Sequence, residues 1–272
     1  METYFKNLKK MSPLIHNITN YVTVNDCANI ILASGASPIM ADDINEVEEI
    51  TSICNGLNIN IGTLNSLTIK SMIKAGKKAK ELNHPVVLDP VGAGASSLRT
   101  KTALDLIEII HPDVIKGNIS EIKSILGISN STKGVDADVS DKITSENLDD
   151  IVKFSREFSI KTNSTVVITG EIDVVCNDKK TYLIKNGHPM MSTVSGTGCQ
   201  LSALIASFIS ANLDNILDST AAAVCAIGIA GENAYKKLKS GDGNASYRNY
   251  IIDSIYNLTP EELEKRARYE IR

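Results

Sequence analysis

A chain of 272 residues, 43% hydrophobic and 22% charged, is long enough to bury a substantial core and has an ordinary globular balance. Its formal net charge of −4 and pI near 5.6 leave no cationic footprint for a nucleic-acid backbone. With 4% aromatics and no Trp there is no stacking platform for single strands either, so a small-molecule site is the class that remains.

In chain order, METYFKNLKKMSPLIHN lacks the apolar run and small-residue cleavage site of a secretory signal. The next stretch, HNITNYVTVNDCAN (16–29), is a run of amides and hydroxyls before a helix ending near Gly35. Such a run makes either solvated turns and caps or a neutral hydrogen-bonding wall for an uncharged, heteroatom-rich ligand. Short apolar runs then follow at 37–42, 57–62, 85–90, 113–118 and 165–170, each closing in a polar or glycine-containing turn. Helical patterns separate or follow them at 45–54, 65–83, 99–110, 120–126 and 146–162. Strands alternating with helices predict an α/β fold with a mostly parallel sheet covered on both faces and right-handed crossovers. The stretch 128–142 reads as the longest loop, too brief to divide domains, so one domain over 1–272 is expected. VVCNDKKTYLIKNGHPMM reads as an antiparallel hairpin turning at Asn177–Lys179, and helices follow at 199–211, 216–239 and 246–256.

No stretch approaches the roughly 20 consecutive apolar residues of a membrane span, and TAAAVCAIGIA (220–230) reads as a buried helix. The five cysteines are scattered and form no CxxC pair, so neither a zinc site nor a disulfide framework is indicated and a reduced, cytoplasmic setting is expected.

Ligands of open α/β sheets bind beyond the carboxyl ends of the strands. That rule predicts that MADD, IGTLN, DPVGAGAS, KGNISE and TGEID converge, bringing Asp89, Asn118, Glu121, Thr169 and Gly170 together. SGTGC (195–199) precedes an apolar helix, where glycines let several N–H groups aim at one point and the helix end adds partial positive charge. It is either an anion-binding turn suited to a phosphoryl group or a turn that redirects the chain. Cys199 on that first turn is expected to have its thiol pKa drawn down and to accept a proton from a substrate hydroxyl, with covalent catalysis the lesser use. The other four cysteines read as small buried hydrophobes. Asp89 in DPVGAG either satisfies a turn or holds Mg²⁺. In NISE, Asn118 and Glu121 fit a capping box, and Asp89 nearby tips Glu121 toward a shared Mg²⁺ environment. Met40 is by default core packing.

Taken in order, HNITNYVTVNDCAN, GASPIMAD, IGTL, VVLDPVGAGAS, VIKGNISE, VVITGEID and VSGTGCQLSA resemble the hydroxyethylthiazole kinase family, within the ribokinase-like kinases. The resemblance runs from about Leu14 to the helix before Gly241. It implies a single-domain, three-layer ribokinase-like fold. The implied reaction is ATP-dependent, Mg²⁺-assisted phosphorylation of the primary hydroxyl of 4-methyl-5-(2-hydroxyethyl)thiazole in thiamine salvage. Carried over by position, Gly196, Thr197 and Gly198 form the anion hole and Cys199 stands where related sugar and pyrimidine kinases carry an Asp base. Lys116 and Thr169, with Gly170 and Asn118 beside them, match ATP-binding positions, and Asp89 and Glu121 the Mg²⁺–phosphate region. Asn25, Met40 and Gly196 match the thiazole pocket. The family also implies a homotrimer with substrate pockets at subunit boundaries, and no nucleic-acid or membrane partner. Departures are Lys116 where arginine is common, Ser195 where Thr is frequent, and Gln200 where small or apolar residues are usual. The alternatives are a hydroxymethylpyrimidine or sugar kinase of the same fold, an ATP- or ADP-dependent NAD(P)H-hydrate dehydratase, and a nucleotide-binding regulatory module.

Overall fold

The computed structural model describes residues 1–127 and 147–272, so the loop expected at 128–142 lies outside the described residues. The first half alternates helix and strand: α1 (Glu2–Met11), β1 (Leu14–Ile18), α2 (Val24–Ser34), β2 (Ser37–Met40), α3 (Val47–Ile53), β3 (Gly56–Asn60), α4 (Ser66–Glu81), β4 (Val86–Asp89) and α5 (Ser97–Ile110), with the elements from α2 to α5 as expected. Then come β5 (Val114–Asn118), α6 (Ile119–Ile125), α7 (Leu148–Thr162) and β6 (Thr165–Thr169). The chain ends with β7 (Asp173–Cys176), β8 (Thr181–Ile184), α8 (Thr197–Ser210), α9 (Ile216–Lys237), α10 (Asn244–Asn257), α11 (Pro260–Arg266) and β9 (Tyr269–Ile271).

These strands form one nine-stranded sheet in the order β2-β1-β3-β4-β5-β6-β7-β8-β9. It is parallel from β2 to β6 and antiparallel from β6 to β9. The mostly parallel half is buried on both faces because crossover helices lie on each side. One face is sealed by Phe5, Leu8, Ile30, Ile31, Leu204, Phe208 and the alanine-rich α9. The other is sealed by Met72, Ala75, Leu106, Ile122 and Phe158 from α4 to α7. Helix α9 belongs to a stretch, 213–237, long and apolar enough to cross a bilayer, but 72% of its apolar window is buried in the fold. Small side chains let it press against neighbours: a Cβ on Gly228 would lie 2.7 Å from the Asn186 carbonyl oxygen.

β1, α1, α11 and β9 are not marked by the sequence pattern. β1 is a central strand, yet His16 and Asn17 interrupt its apolar run. Both are buried and satisfied: His16 Nδ1 pairs with Thr51 Oγ1 at 2.9 Å, His16 Nε2 with Ala41 O at 2.8 Å, and Asn17 Nδ2 donates to Ile15 O at 3.0 Å. The turn between β7 and β8 is as expected, with the Asn177 side chain accepting from the N–H groups of Lys179 and Lys180.

Candidate active site

Three strand ends set the floor of the site. Asn60 and Asp89 are register partners closing β3 and β4, and Lys116 lies in the neighbouring β5. Lys116 Nζ is 2.9 Å from Asp89 Oδ2 and donates to Gly198 O at 3.1 Å, with both charged side chains almost fully buried. Burial works to lower the lysine pKa, but Asp89, Cys199 and Glu121 outweigh it and hold it above its ordinary value. Asp89 Oδ2 also accepts from Asn60 Nδ2 at 2.9 Å and from Ser202 Oγ at 2.6 Å, while Oδ1 is buried with no partner among the described residues.

The roof is the N-terminus of α8. Gly196 is its N-cap at φ +97°, a left-handed conformation that glycine adopts without strain. The first intrahelical bond runs from Gln200 N to Gly196 O at 2.8 Å, so the N–H groups of Thr197, Gly198 and Cys199 point out of the helix end. A Cβ on Gly196 would sit 2.3 Å from Thr23 Cγ2, so the turn is seated on the loop before α2.

Between floor and roof lies Cys199 Sγ, which accepts from Asn20 Nδ2 at 3.2 Å and Asn60 Nδ2 at 3.3 Å. Burial raises its thiol pKa and Asp89 raises it further, against the lowering effects of Lys116, Thr23 and Asn20. The expectation that the helix end draws the thiol down is therefore corrected: desolvation and a neighbouring carboxylate win. Gln200, the departure beside it, is fully buried and neither amide atom has a partner among the described residues.

Glu121 closes the far side. Its carboxylate accepts from Gly92 N and Asn118 N, both at 2.8 Å, completing the capping box of α6. Burial, then the charge of Asp89, pushes its pKa up to about 7. Arg99 clamps two of the converging turns, donating to Val91 O at 2.8 Å and Gly62 O at 2.7 Å. Thr169 pairs with Asn118 in register at the end of β6, and Gly170 N donates to Asp173 Oδ1 at 2.9 Å. The strand-end turns thus meet as the sheet topology requires.

Asn25 and Met40 do not join this cluster. Asn25 is exposed on α2, its carbonyl groups accepting from Asn29, and the amide at the sulfur is Asn20, five residues earlier. Met40 is half-buried at the end of the edge strand, paired in register with Asn17 and packed against the core. No motif in the sequence marks Asn60 or Ser202, although each leaves a trace. Asn58 and Asn60 are polar at period two inside an apolar strand, and Ser202 follows Cys199 by three on one helix face. No group of three or more His, Cys, Asp or Glu that could hold a metal occurs among the described residues. That pattern still suits Mg²⁺, which takes one or two carboxylates and keeps water or phosphate oxygens for the rest. The unpartnered Oδ1 of Asp89 is such an oxygen.

The model of the hydroxyethylthiazole kinase family matches residues 5–261. A Clostridium acetobutylicum hydroxyethylthiazole kinase is 61% identical over 97% of each chain, and a Clostridium tetani one 49% identical over 98% of each. The solved structure of a Pyrococcus horikoshii hydroxyethylthiazole kinase superposes with a TM-score of 0.88 at 34% identity, covering 99% of this chain and 98% of that one. A Staphylococcus aureus pyridoxal kinase shares the fold at a TM-score of 0.59 and 14% identity, covering 96% of this chain and 98% of that one.

Proposed function

The chain belongs to the hydroxyethylthiazole kinase family, and from that membership we propose how its residues carry out the phosphoryl transfer. It is a phosphotransferase with an alcohol acceptor, acting on hydroxyethylthiazole in thiamine salvage. ATP is the donor, and the reaction is an in-line transfer from its terminal phosphate to the primary hydroxyl. Such a transfer is catalysed chiefly by positioning and charge stabilisation.

The N–H groups of Thr197, Gly198 and Cys199 form the anion hole, with Gly196 setting their direction. Their dipoles are fixed before the reaction begins and need no reorganisation as charge develops on the phosphoryl oxygens. Cys199 Sγ holds the substrate hydroxyl and is its proton acceptor. Burial raises the thiol pKa, so the thiolate that can take this proton is a minor species at rest and the anion hole carries the larger share of the catalysis. Lys116 neutralises Asp89 and braces the Gly198 carbonyl, and Thr169, Gly170 and Asn118 face the nucleotide at the ends of β5 and β6. Asp89 Oδ1 and Glu121 would hold Mg²⁺, which when bound screens the phosphate charge. Met40 and Gly196 border the thiazole pocket, whose remaining wall includes Asn25 of a neighbouring protomer in a homotrimer. Supporting that assembly, Tyr21 and Val22 are 79% and 62% exposed, although Asn20 and Thr23 on either side of them reach the sulfur and the glycine turn. We read the chain as one cytoplasmic domain.

The observation that carries this reading is the meeting of Cys199, Asp89 and Lys116 beneath the open N–H groups of α8. ADP release with hydroxyethylthiazole, hydroxymethylpyrimidine, pyridoxal and ribose as acceptors tests it. Turnover is expected with the thiazole alcohol, and turnover confined to a sugar or the pyrimidine would overturn the substrate assignment.

A further inference from the structure

Asn60 is 1% exposed and uses its whole hydrogen-bonding capacity. Its Oδ1 accepts from Gly62 N at 2.9 Å and from Asn20 Nδ2 at 3.0 Å. A backbone N–H can only donate, so the Gly62 contact fixes which end of the amide is oxygen. Asn60 Nδ2 is then obliged to face Asp89 Oδ2 at 2.9 Å and Cys199 Sγ at 3.3 Å. The same argument orients Asn20: its Oδ1 accepts from Thr23 N at 3.1 Å, which turns its Nδ2 toward Asn60 and the sulfur. Two amides locked by main-chain donors therefore aim three of their four N–H bonds at Cys199 and Asp89, and the fourth holds one amide to the other.

We propose that Asn60 is a positioning residue for the phosphoryl transfer, holding Cys199 Sγ as a hydrogen-bond acceptor and fixing its place relative to Asp89 through a single planar amide. The inference rests on the reading of Cys199 as proton acceptor. In the thiolate form that the proton-accepting role requires, a sulfur receiving two fixed N–H bonds keeps its third lone-pair direction for the substrate hydroxyl. A carboxylate tied to the same amide cannot swing toward or away from that sulfur without breaking its bond to an amide that the Gly62 and Asn20 contacts hold in place. An amide serving only to fill the core would not need its donors on the two groups the reaction uses.

The test is a double-mutant cycle of Asn60→Ala and Cys199→Ala, read as kcat and KM for hydroxyethylthiazole, with thermal unfolding as a control. Hydrogen bonds to reactive groups of this kind predict a loss in kcat of about tenfold or more for Asn60→Ala with Cys199 present. The loss should shrink to less than about threefold in the Cys199→Ala background, with KM changing less than about twofold, because the amide acts through the sulfur. Equal losses in both backgrounds overturn the proposal, since a structural role does not depend on the sulfur. An undiminished Cys199→Ala rate instead removes the proton-acceptor reading and the proposal built on it. If Asn60→Ala does not fold, Asn60→Ser, whose hydroxyl can still accept from Gly62 N, takes its place in the cycle, and the same pair of results supports or overturns the proposal.

Discussion

Gly196 has a φ of +97°, and a Cβ there would lie 2.3 Å from Thr23 Cγ2, whereas a Cβ on Gly198 would need only a few tenths of an ångström from Lys116 Nζ, at 3.1 Å. The two glycines of SGTGC therefore have different roles. Left-handed strain of ~1–3 kcal/mol in Gly196→Ala adds to the clash with Thr23 and turns the N–H groups away. We expect Gly196→Ala to lose more than about tenfold in kcat with a lowered Tm, while Gly198→Ala keeps most of its rate; comparable rates would remove the assignment of the turn to Gly196. At this scale the sequence marks Cys199 and the glycines by type and spacing. It misleads on the thiol, because the dipole of a helix end is a local effect whereas burial and Asp89 are imposed by other elements. It does not single out Asn20, whose amide reaches the sulfur because the loop between β1, ending at Ile18, and α2, beginning at Val24, packs against the start of α8.

Helix ends and hairpins carry the site at the next scale. The capping box of Asn118 and Glu121 is local and legible as a spacing, but Glu121 also receives the Gly92 N–H from a distant turn, a contact no spacing shows. The turn from β6 to β7 is closed by Asp173, which accepts from Gly170 N and is pushed by burial up to about 7 from its ordinary 3.8. Between those values the folded chain keeps a proton that the unfolded chain has lost, so this group's stabilising contribution is present at low pH and lost as pH rises through about 7. Asp173→Asn keeps an acceptor for Gly170 and removes the titration. The variant's Tm should rise relative to the natural chain by about several degrees between pH 4 and pH 8, measured by thermal unfolding, and a pH-independent difference would contradict the role.

For the whole molecule, the sheet order explains why residues far apart in the chain share one site: parallel crossovers deliver the carboxyl ends of β1 to β6 to the same edge. In the proposed homotrimer the exposed Tyr21 and Val22 at that edge are where assembly and catalysis meet. Sedimentation should give about three times the 29.3 kDa chain mass, and Val22→Asp should lower that mass and the rate together, because a buried unpaired carboxylate is costly at an interface. A fully active monomer would refute shared pockets. The alternation of strands and helices, the antiparallel hairpin and the chemical character of the glycine turn are all readable along the chain, since each depends on neighbours within a few residues. β1 and β9 are not, because a strand holding buried His16 and Asn17, or a short exposed edge strand, is stabilised by partners elsewhere in the sheet. The pairing of Lys116 with Asp89, the amides on Cys199 and the raised thiol belong to packing: they arise where β3, β4, β5, α8 and the loop before α2 close together and exclude water.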